Sequence, residues 1–352
     1  MATMDTPAWT CGISRPDSDE RITLAHGEGG RLMRRFLLER IWPRFHPGGA
    51  ARYDDAAVLA AFSGQVVLAT DSFVVTPLFF PGGDIGRLAV CGTVNDLVVR
   101  GATPRYLSLA LIIEEGLPLS TLDAVLDSIA AAADECGVAI ATGDTKVVPR
   151  GVADGLFINT AGIGEAIDPL PPGPSAIRPG DCLIISGPVG QHGIAVLGAR
   201  EQLGFDPPPR SDCAPLTPAV SALRAQRIVP RAVRDATRGG VAAVLHEWAE
   251  ECRLTLVIDE SRVPVSSDVR GACELLGLDP LHLSNEGTMV IAVAGDSAEA
   301  ALQAMRSTQI ARHAQIIGAA RPLGVAPVIV RRALGREQPL DDPQGAPLPR
   351  IC

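Results

Sequence analysis

The stretch RYLSLALIIEEGLPLSTLDAVLDSIAAAADECGVAIATGD, residues 105–144, decides the class of fold. RYLSLALII (105–113) is apolar and of strand length. TLDAVLDSIAAAADECG (121–137) carries apolar residues at helical spacing until glycine ends it, and VAIATGD (138–144) reads as a second strand. Strand, helix and strand in succession predict an α/β domain. Working outward, QVVLATD (65–71) and LFINTAGIG (156–164) read as further strands, and GRLAVCGTVNDLVVRG (86–101) has helical spacing through Leu88, Val94 and Leu97. Upstream, the glycine-rich HGEGG (26–30) opens a helix over RLMRRFLLERI (31–41), with Leu32, Met33, Phe36, Leu37 and Ile41 on one face.

Downstream, DPLPPGPSAIRPGD (168–181) breaks the pattern with proline and glycine and marks a domain boundary. A second α/β set follows: a strand CLIIS (182–186), helices near 191–203 and 218–228, a helix VAAVLHEWAEE (241–251), and strands TLVIDE, TMVIAVA, AQIIGAA and PVIVRR. The expected organisation is an N-terminal extension (1–21), two α/β domains (22–167 and 175–334) and a tail (335–352). The tail, GREQPLDDPQGAPLPRIC, has four prolines and no apolar periodicity, which predicts an extended, solvated segment. At ~3.1 Å per residue its reach would be roughly 50 Å.

With 352 residues, 47% hydrophobic and 20% charged, the chain can bury a large core. A net charge of −9 without a basic patch argues against nucleic acid or an anionic membrane as partner. No stretch is apolar enough to span a bilayer and the start lacks the order of a signal peptide, so the cytoplasm is the expected compartment. The eight cysteines form no C-x-x-C pair. Cys91, Cys136, Cys182 and Cys273 lie in apolar segments and suit a core, whereas Cys352 is the last residue.

Of the 31 basic residues, 30 are arginine and one is lysine, Lys146. A lone lysine in an arginine-only background suggests a task that needs a compact ammonium, such as a point charge beside a phosphate. Acidic residues recur where strands end or apolar runs are interrupted: Asp54, Asp55, Asp71, Asp96 and Asp144. One alone would read as a cap. Five need cationic partners, and hard oxygen ligands without nearby His or Cys suit Mg²⁺ bound together with phosphates. The glycine-rich HGEGG, SGPVGQHG (186–193) and ATRGG (236–240) border helices or strands, where backbone N–H groups can cradle phosphate. No P-loop is possible with the only lysine in GDTKVV, and no kinase signature occurs. His26 and His192 sit in glycine-rich loops, His246 on a helix with a structural role, and Glu286 in an Asn-Glu-Gly turn before a strand.

Together AHGEGG, TDSFVVTPLFFPGGDIGRLAVCGTVNDL, GDTKVV, DATRGG, SNEG and the terminal PRIC resemble the HypE family of hydrogenase maturation factors, from about Ile22 to Cys352. That family is part of the ATP-binding superfamily of aminoimidazole ribonucleotide synthetase, selenophosphate synthetase and thiamine-monophosphate kinase. The superfamily shares the acidic and glycine-rich segments but not the PRIC end.

The resemblance implies two α/β domains of the aminoimidazole ribonucleotide synthetase type, a homodimer formed through the N-terminal sheets, and an ATP-dependent carbamoyl dehydratase. Cys352 would be S-carbamoylated by a HypF partner and dehydrated to a thiocyanate, the source of cyanide for [NiFe]-hydrogenase, passed to iron on a HypC–HypD complex. It also implies ATP near His26, Gly27, Gly29, Gly30, Asn95, Gly143, Thr145, Lys146, Asp235, Arg238 and Gly239. Mg²⁺ would lie on Asp71, Asp96 and Asp144, with Asp55 and Asp54 beside them. Lys146 would serve as point charge, Glu286 as general base with His192 second, and Cys352 as the reacting thiol. Arg350 is expected to anchor the tail by charge. Two alternatives are a small-molecule kinase or synthetase with an incidental tail, and a nucleotide-gated scaffold whose tail is a docking peptide. An ordinary kinase would turn over without Cys352, and a scaffold would lose only partner binding.

Overall fold

The 105–144 stretch folds as its periodicity dictates, into a strand, a helix and a parallel strand. In the computed structural model, residues 20–49, 54–332, 335–342 and 350–352 are described. Most of the expected N-terminal extension, Cys11 within it, and the middle of the tail (343–349) lie outside the described residues.

The N-terminal unit begins with α1 (Gly30–Phe36), continued by a π-helical turn and α2 (Trp42–Phe45). Next come β1 (Val66–Phe73), the short hairpin β2 (Phe79–Phe80) and β3 (Gly83–Asp84), and α3 (Ile85–Val99). β4 (Ala102–Glu114), α4 (Leu119–Cys136), β5 (Ala139–Val148) and β6 (Leu156–Ala166) complete it. The main sheet has the order β1-β6-β4-β5, with β4 and β5 parallel and the other pairs antiparallel. Asp84 caps α3 through the N–H groups of Gly86 and Arg87, at 2.7 and 3.1 Å. α3 is buried along nearly its whole length, so it reads as apolar all round except at Arg87, Thr93, Asn95 and Asp96. Helices cover one face of the sheet, and on the other Val66, Leu68 and Ile112 are 53%, 68% and 40% exposed.

The C-terminal unit runs β7 (Cys182–Ile185), α5 (Gln191–Arg200), α6 (Thr217–Ala225), β8 (Ala232–Asp235), α7 (Gly240–Cys252) and β9 (Thr255–Asp259). It continues with α8 (Ser267–Leu276), β10 (Met289–Val293), α9 (Ala298–Arg306), β11 (Gln315–Arg321), β12 (Val328–Arg331) and β13 (Glu337–Pro339). The seven strands order as β13-β12-β9-β11-β7-β10-β8. The expected solvated tail differs here. Residues 337–339 add an edge strand to β12, Glu337 pairs with Arg321 and Arg331 at 3.1 and 3.2 Å, and Leu340 is buried. A bare composition count misses this because an edge strand needs only backbone partners.

One apolar core passes from the N-terminal sheet and α3 into β7, α6 and β10, so the two units share an interior. The Asn95 carboxamide bridges them as well, donating to Ala214 O and Glu286 O at 3.1 Å each and accepting from Leu216 N–H at 2.8 Å. No helix among the described residues is long and apolar enough to cross a membrane.

Candidate active site at the chain terminus

Two strands, a helix and a turn bring acidic groups together. Asp71 lies on the helix-facing side of β1, beside Asp96 of α3, close enough for each carboxyl to shift the other's proton affinity. β8 ends at Asp235, opposite Met289 in the antiparallel pair with β10, so the Asn-Glu-Gly turn before β10 sits next to it. Glu286 from that turn is 2% exposed, which excludes an exposed turn. Its backbone N–H and that of Gly287 both donate to the Asp212 carboxylate at 3.0 Å. Gly287 is required there, because a Cβ would lie 1.8 Å from Asp212 O.

Burial raises the proton affinity of Asp71, Asp96, Asp235 and Glu286, and repulsion by neighbouring carboxylates adds to it at Asp96, Asp235 and Glu286. Asp96 is pushed up to about 8 by burial and then by Asp235 and Asp71, and Asp235 to about 6, chiefly by burial. Asp71 is raised by burial against the opposing pull of Arg238. Glu286 is held well above the usual carboxylate range by burial, then by Asp235 and Asp212, and its Oε1 is buried without a hydrogen-bond partner.

Cys352 lies within reach of the fields of this site. Cys352 lines a cavity of about 220 Å³ with Ser72, Val74, Arg238, Gly239 and Ser284. Burial, followed by the field of Glu286, pushes its thiol up to about 12. Val74 N–H donates to the Cys352 carbonyl at 3.2 Å, and Ile351 is buried in the shared core. His192, on α5 and fully buried, contacts Ile351 O through Nε2 at 2.9 Å and Ser211 Oγ through Nδ1 at 2.8 Å. Burial lowers its proton affinity, so the ring is held neutral with both nitrogens engaged. That arrangement suits holding the tail better than abstracting a proton. Arg350 pairs with Asp154, as its charge suggested, and lies 5.7 Å from the Phe157 ring centroid.

The other expected residues gather elsewhere. HGEGG packs on the end of β5: a Cβ on Gly27 would lie 2.6 Å from Val147 N. His26 turns its Nδ1 back onto Thr23 N–H at 3.0 Å, and Gly29 and Gly30 adopt positive φ at the start of α1. Gly143 and Thr145 face the helices, whereas Asp144 and Lys146 face the open side of β5 and lie 3.5 Å apart. β1 and β5 are the two edges of the four-stranded sheet, three strand spacings or roughly 14 Å apart. Asp144 and Lys146 are therefore separated from Asp71 within one chain and turned to the opposite face. Asp54 and Asp55 are exposed. The expected five-carboxylate cluster thus divides, with Asp71 and Asp96 joined by Asp235. Among the described residues no three His, Cys, Asp or Glu side chains are set to hold a metal ion by themselves. The sequence reading also missed Asp212, Arg200 and Asp154. Asp212 stands in SDCAPL, where no periodicity or spacing marks it, and only the fold brings it under Glu286.

The chain is similar to known proteins over most of its length. Residues 53–166 match the AIR synthase related protein N-terminal domain, and residues 178–325 match the corresponding C-terminal domain. Carbamoyl dehydratase HypE of Escherichia coli (strain K12) is 47% identical over 342 residues, 94% of this chain and 99% of the relative. A crystal structure of hydrogenase maturation protein HypE in complex with ATP superposes with a TM-score of 0.88 at 43% identity, covering 94% of this chain and 99% of that one. A crystal structure of a HypE-HypF complex gives 0.76 at 44% identity, covering 87% and 99%.

Proposed function

The chain belongs to the HypE family of carbamoyl dehydratases, and from that premise we propose that it dehydrates an S-carbamoyl group on its own Cys352 to a thiocyanate that supplies cyanide to a [NiFe]-hydrogenase iron. The observation that carries this reading is the seating of the last residue: Cys352 lines a cavity with Arg238, Gly239 and Ser284, where its thiol feels the fields of Glu286 and Asp71.

The reaction removes one oxygen and two N–H protons from the carboxamide, leaving S–C≡N. ATP with Mg²⁺ supplies the phosphoryl group that turns the amide oxygen into a leaving group and the charge that offsets its phosphates. The residues fit such a partner: a set of hard oxygens that repel one another, with one buried oxygen unsatisfied, is short of positive charge. Asp71 and Asp96 would hold the ion, with phosphate oxygens completing its shell. Glu286 would accept an amide proton; its high proton affinity makes it a strong base once ionised, and Asp212 holds its backbone in place. Asn95 shapes the site from between the domains. Arg238 and Gly239 would receive phosphate from the C-terminal side, and HGEGG with Gly143 and Thr145 from the N-terminal side. The docked tail excludes water, protecting the activated amide from hydrolysis.

Because Asp144 and Lys146 turn away from Asp71, we infer that they serve a site completed by a second copy. The exposed apolar sheet face that carries them, with Leu68 and Ile112, is the surface for such a homodimer. A HypF-type carbamoyltransferase as donor, a HypC–HypD-type iron carrier as acceptor and a cytoplasmic location complete the reading.

Intact-protein mass spectrometry after carbamoylation by HypF tests the function. Loss of one water from the Cys352 adduct, only with Mg-ATP present, is the expected result. An adduct that persists while ATP is hydrolysed rejects the dehydratase and favours an ordinary kinase.

A further inference from the structure

Asn285 stands one residue before Glu286 and is fully buried, with both ends of its carboxamide engaged. Its Oδ1 accepts from the N–H of Gly190, the residue that opens α5, at 2.7 Å. Its Nδ2 donates to Ala236 O at 2.9 Å and to Leu283 O at 3.0 Å. The Asn285 backbone N–H reaches the same Ala236 O at 3.0 Å, and the Ala236 N–H in turn donates to Thr288 O at 2.9 Å. One side chain thus ties together three segments that are distant in the chain: the 186–193 loop, the 236–240 loop and the turn that presents Glu286. Two of these segments meet at the cavity beside Cys352, where Arg238 and Gly239 line it from one and Leu283 and Ser284 from the other. They are packed without slack, because a Cβ on Gly240 would lie 2.6 Å from both Leu281 O and Leu283 O.

We propose that Asn285 is a positioning residue, which holds Arg238 and Gly239 in one fixed relation to the Glu286 carboxylate. This rests on the reading of Glu286 as base and of Arg238 and Gly239 as receivers of phosphate. It adds the group that registers the two against each other, so that an oxygen activated at one lies within reach of the proton acceptor at the other. The chemistry of the side chain fits this task. An amide offers an acceptor and a pair of donors on a short stem, and the backbone groups it meets here are one N–H and two carbonyls. A carboxylate of the same shape would set an oxygen against the carbonyls, and alanine would take from the buried Gly190 N–H and Leu283 O the partner they have here. Asp212 and Asn95 hold the backbone of Glu286 itself, whereas Asn285 holds the loop that follows Asp235.

The test compares the full-length chain with its Asn285→Ala variant. Calorimetry gives the affinity for Mg-ATP, and mass spectrometry follows dehydration of the carbamoylated chain in a single turnover at saturating Mg-ATP. The variant should bind Mg-ATP about tenfold more weakly, the scale of one hydrogen bond to a charged group. Its single-turnover rate should fall about 100-fold, the scale of a small misplacement of reacting groups. On an Arg238→Ala background the same substitution should add no further loss of affinity, which general damage to the domain would still cause. Should Asn285→Ala unfold, Asn285→Ser keeps one donor and one acceptor with room for a water, and carries the same measurements with smaller losses. Parental affinity or a parental rate in a variant with parental far-UV circular dichroism overturns the proposal, as does an additive loss on the Arg238→Ala background. A parent chain that dehydrates its adduct beside an unimpaired variant sinks the positioning role and leaves the dehydratase reading standing. A parent chain that binds Mg-ATP and never dehydrates its adduct rejects that reading, and the affinity measurements then decide whether Asn285 holds the 238–239 segment.

Discussion

Lys146 and Asp96 show how one side chain can be read at two depths. The lone lysine is visible as a count, and its placement on the open face of β5 beside Asp144 is consistent with a point charge offered to a phosphate. Lys146→Arg should keep the fold and lose activity by about 100-fold, the scale of one preorganised electrostatic contact. Near-normal turnover in a steady-state assay would show that the lysine has no special task. Asp96 has a folded-state proton affinity near 8 against an ordinary value of 3.8. The native state therefore binds this proton more tightly than the unfolded state does, and the contribution to stability falls as pH rises from about 4 to about 8. Asp96→Asn removes that dependence. Calorimetry of the nucleotide-free protein should show a smaller drop in melting temperature between about pH 5.5 and about pH 8.5 in the variant, at roughly 2–4 °C per kcal/mol recovered. An unchanged drop would mean that Asp96 titrates normally.

Among the elements, the strands and helices with long apolar patterns were legible: β4, α4 and β5 follow from the 105–144 stretch, and α3 from its spacing. α9 was legible too but unread, with Ala298, Ala301, Leu302 and Met305 at helical spacing and all buried. β8 is a different case, since four residues carry too little pattern and its existence depends on pairing with β10. That pairing is what brings Asp235 to Glu286. The turn that presents Glu286 depends on glycine, and Gly287→Ala should force the Asp212 segment away. We expect a stability loss of about 2–4 kcal/mol in urea unfolding, within the large values seen for overpacking and lost buried hydrogen bonds, together with inactivity. A variant that melts like the parent would show that the 211–214 segment yields freely.

At the scale of the whole molecule, the open face of the N-terminal sheet is the surface that a single chain leaves unfinished. Leu68 is 68% exposed in the middle of β1, on the face that also carries Lys146. Leu68→Asp should convert a dimer to a monomer in light scattering and reduce activity together with assembly, while far-UV circular dichroism stays unchanged. A dimer that survives this substitution places the interface elsewhere.

By itself, the sequence determined the local patterns: two α/β sets, the acidic and glycine-rich motifs, the single lysine and the terminal thiol. These are properties of neighbours along the chain, and periodicity reports them. The tertiary structure alone decided which motifs meet. It set Asp71, Asp96, Asp235 and Glu286 around one cleft, turned Asp144 and Lys146 to the other face of the sheet, and drew a tail that composition marks as solvated into an edge strand and a buried tip. The physical reason is that strand pairing and a core shared by both domains bring residues from distant parts of the chain together, and the pattern of any one segment carries no record of its partners.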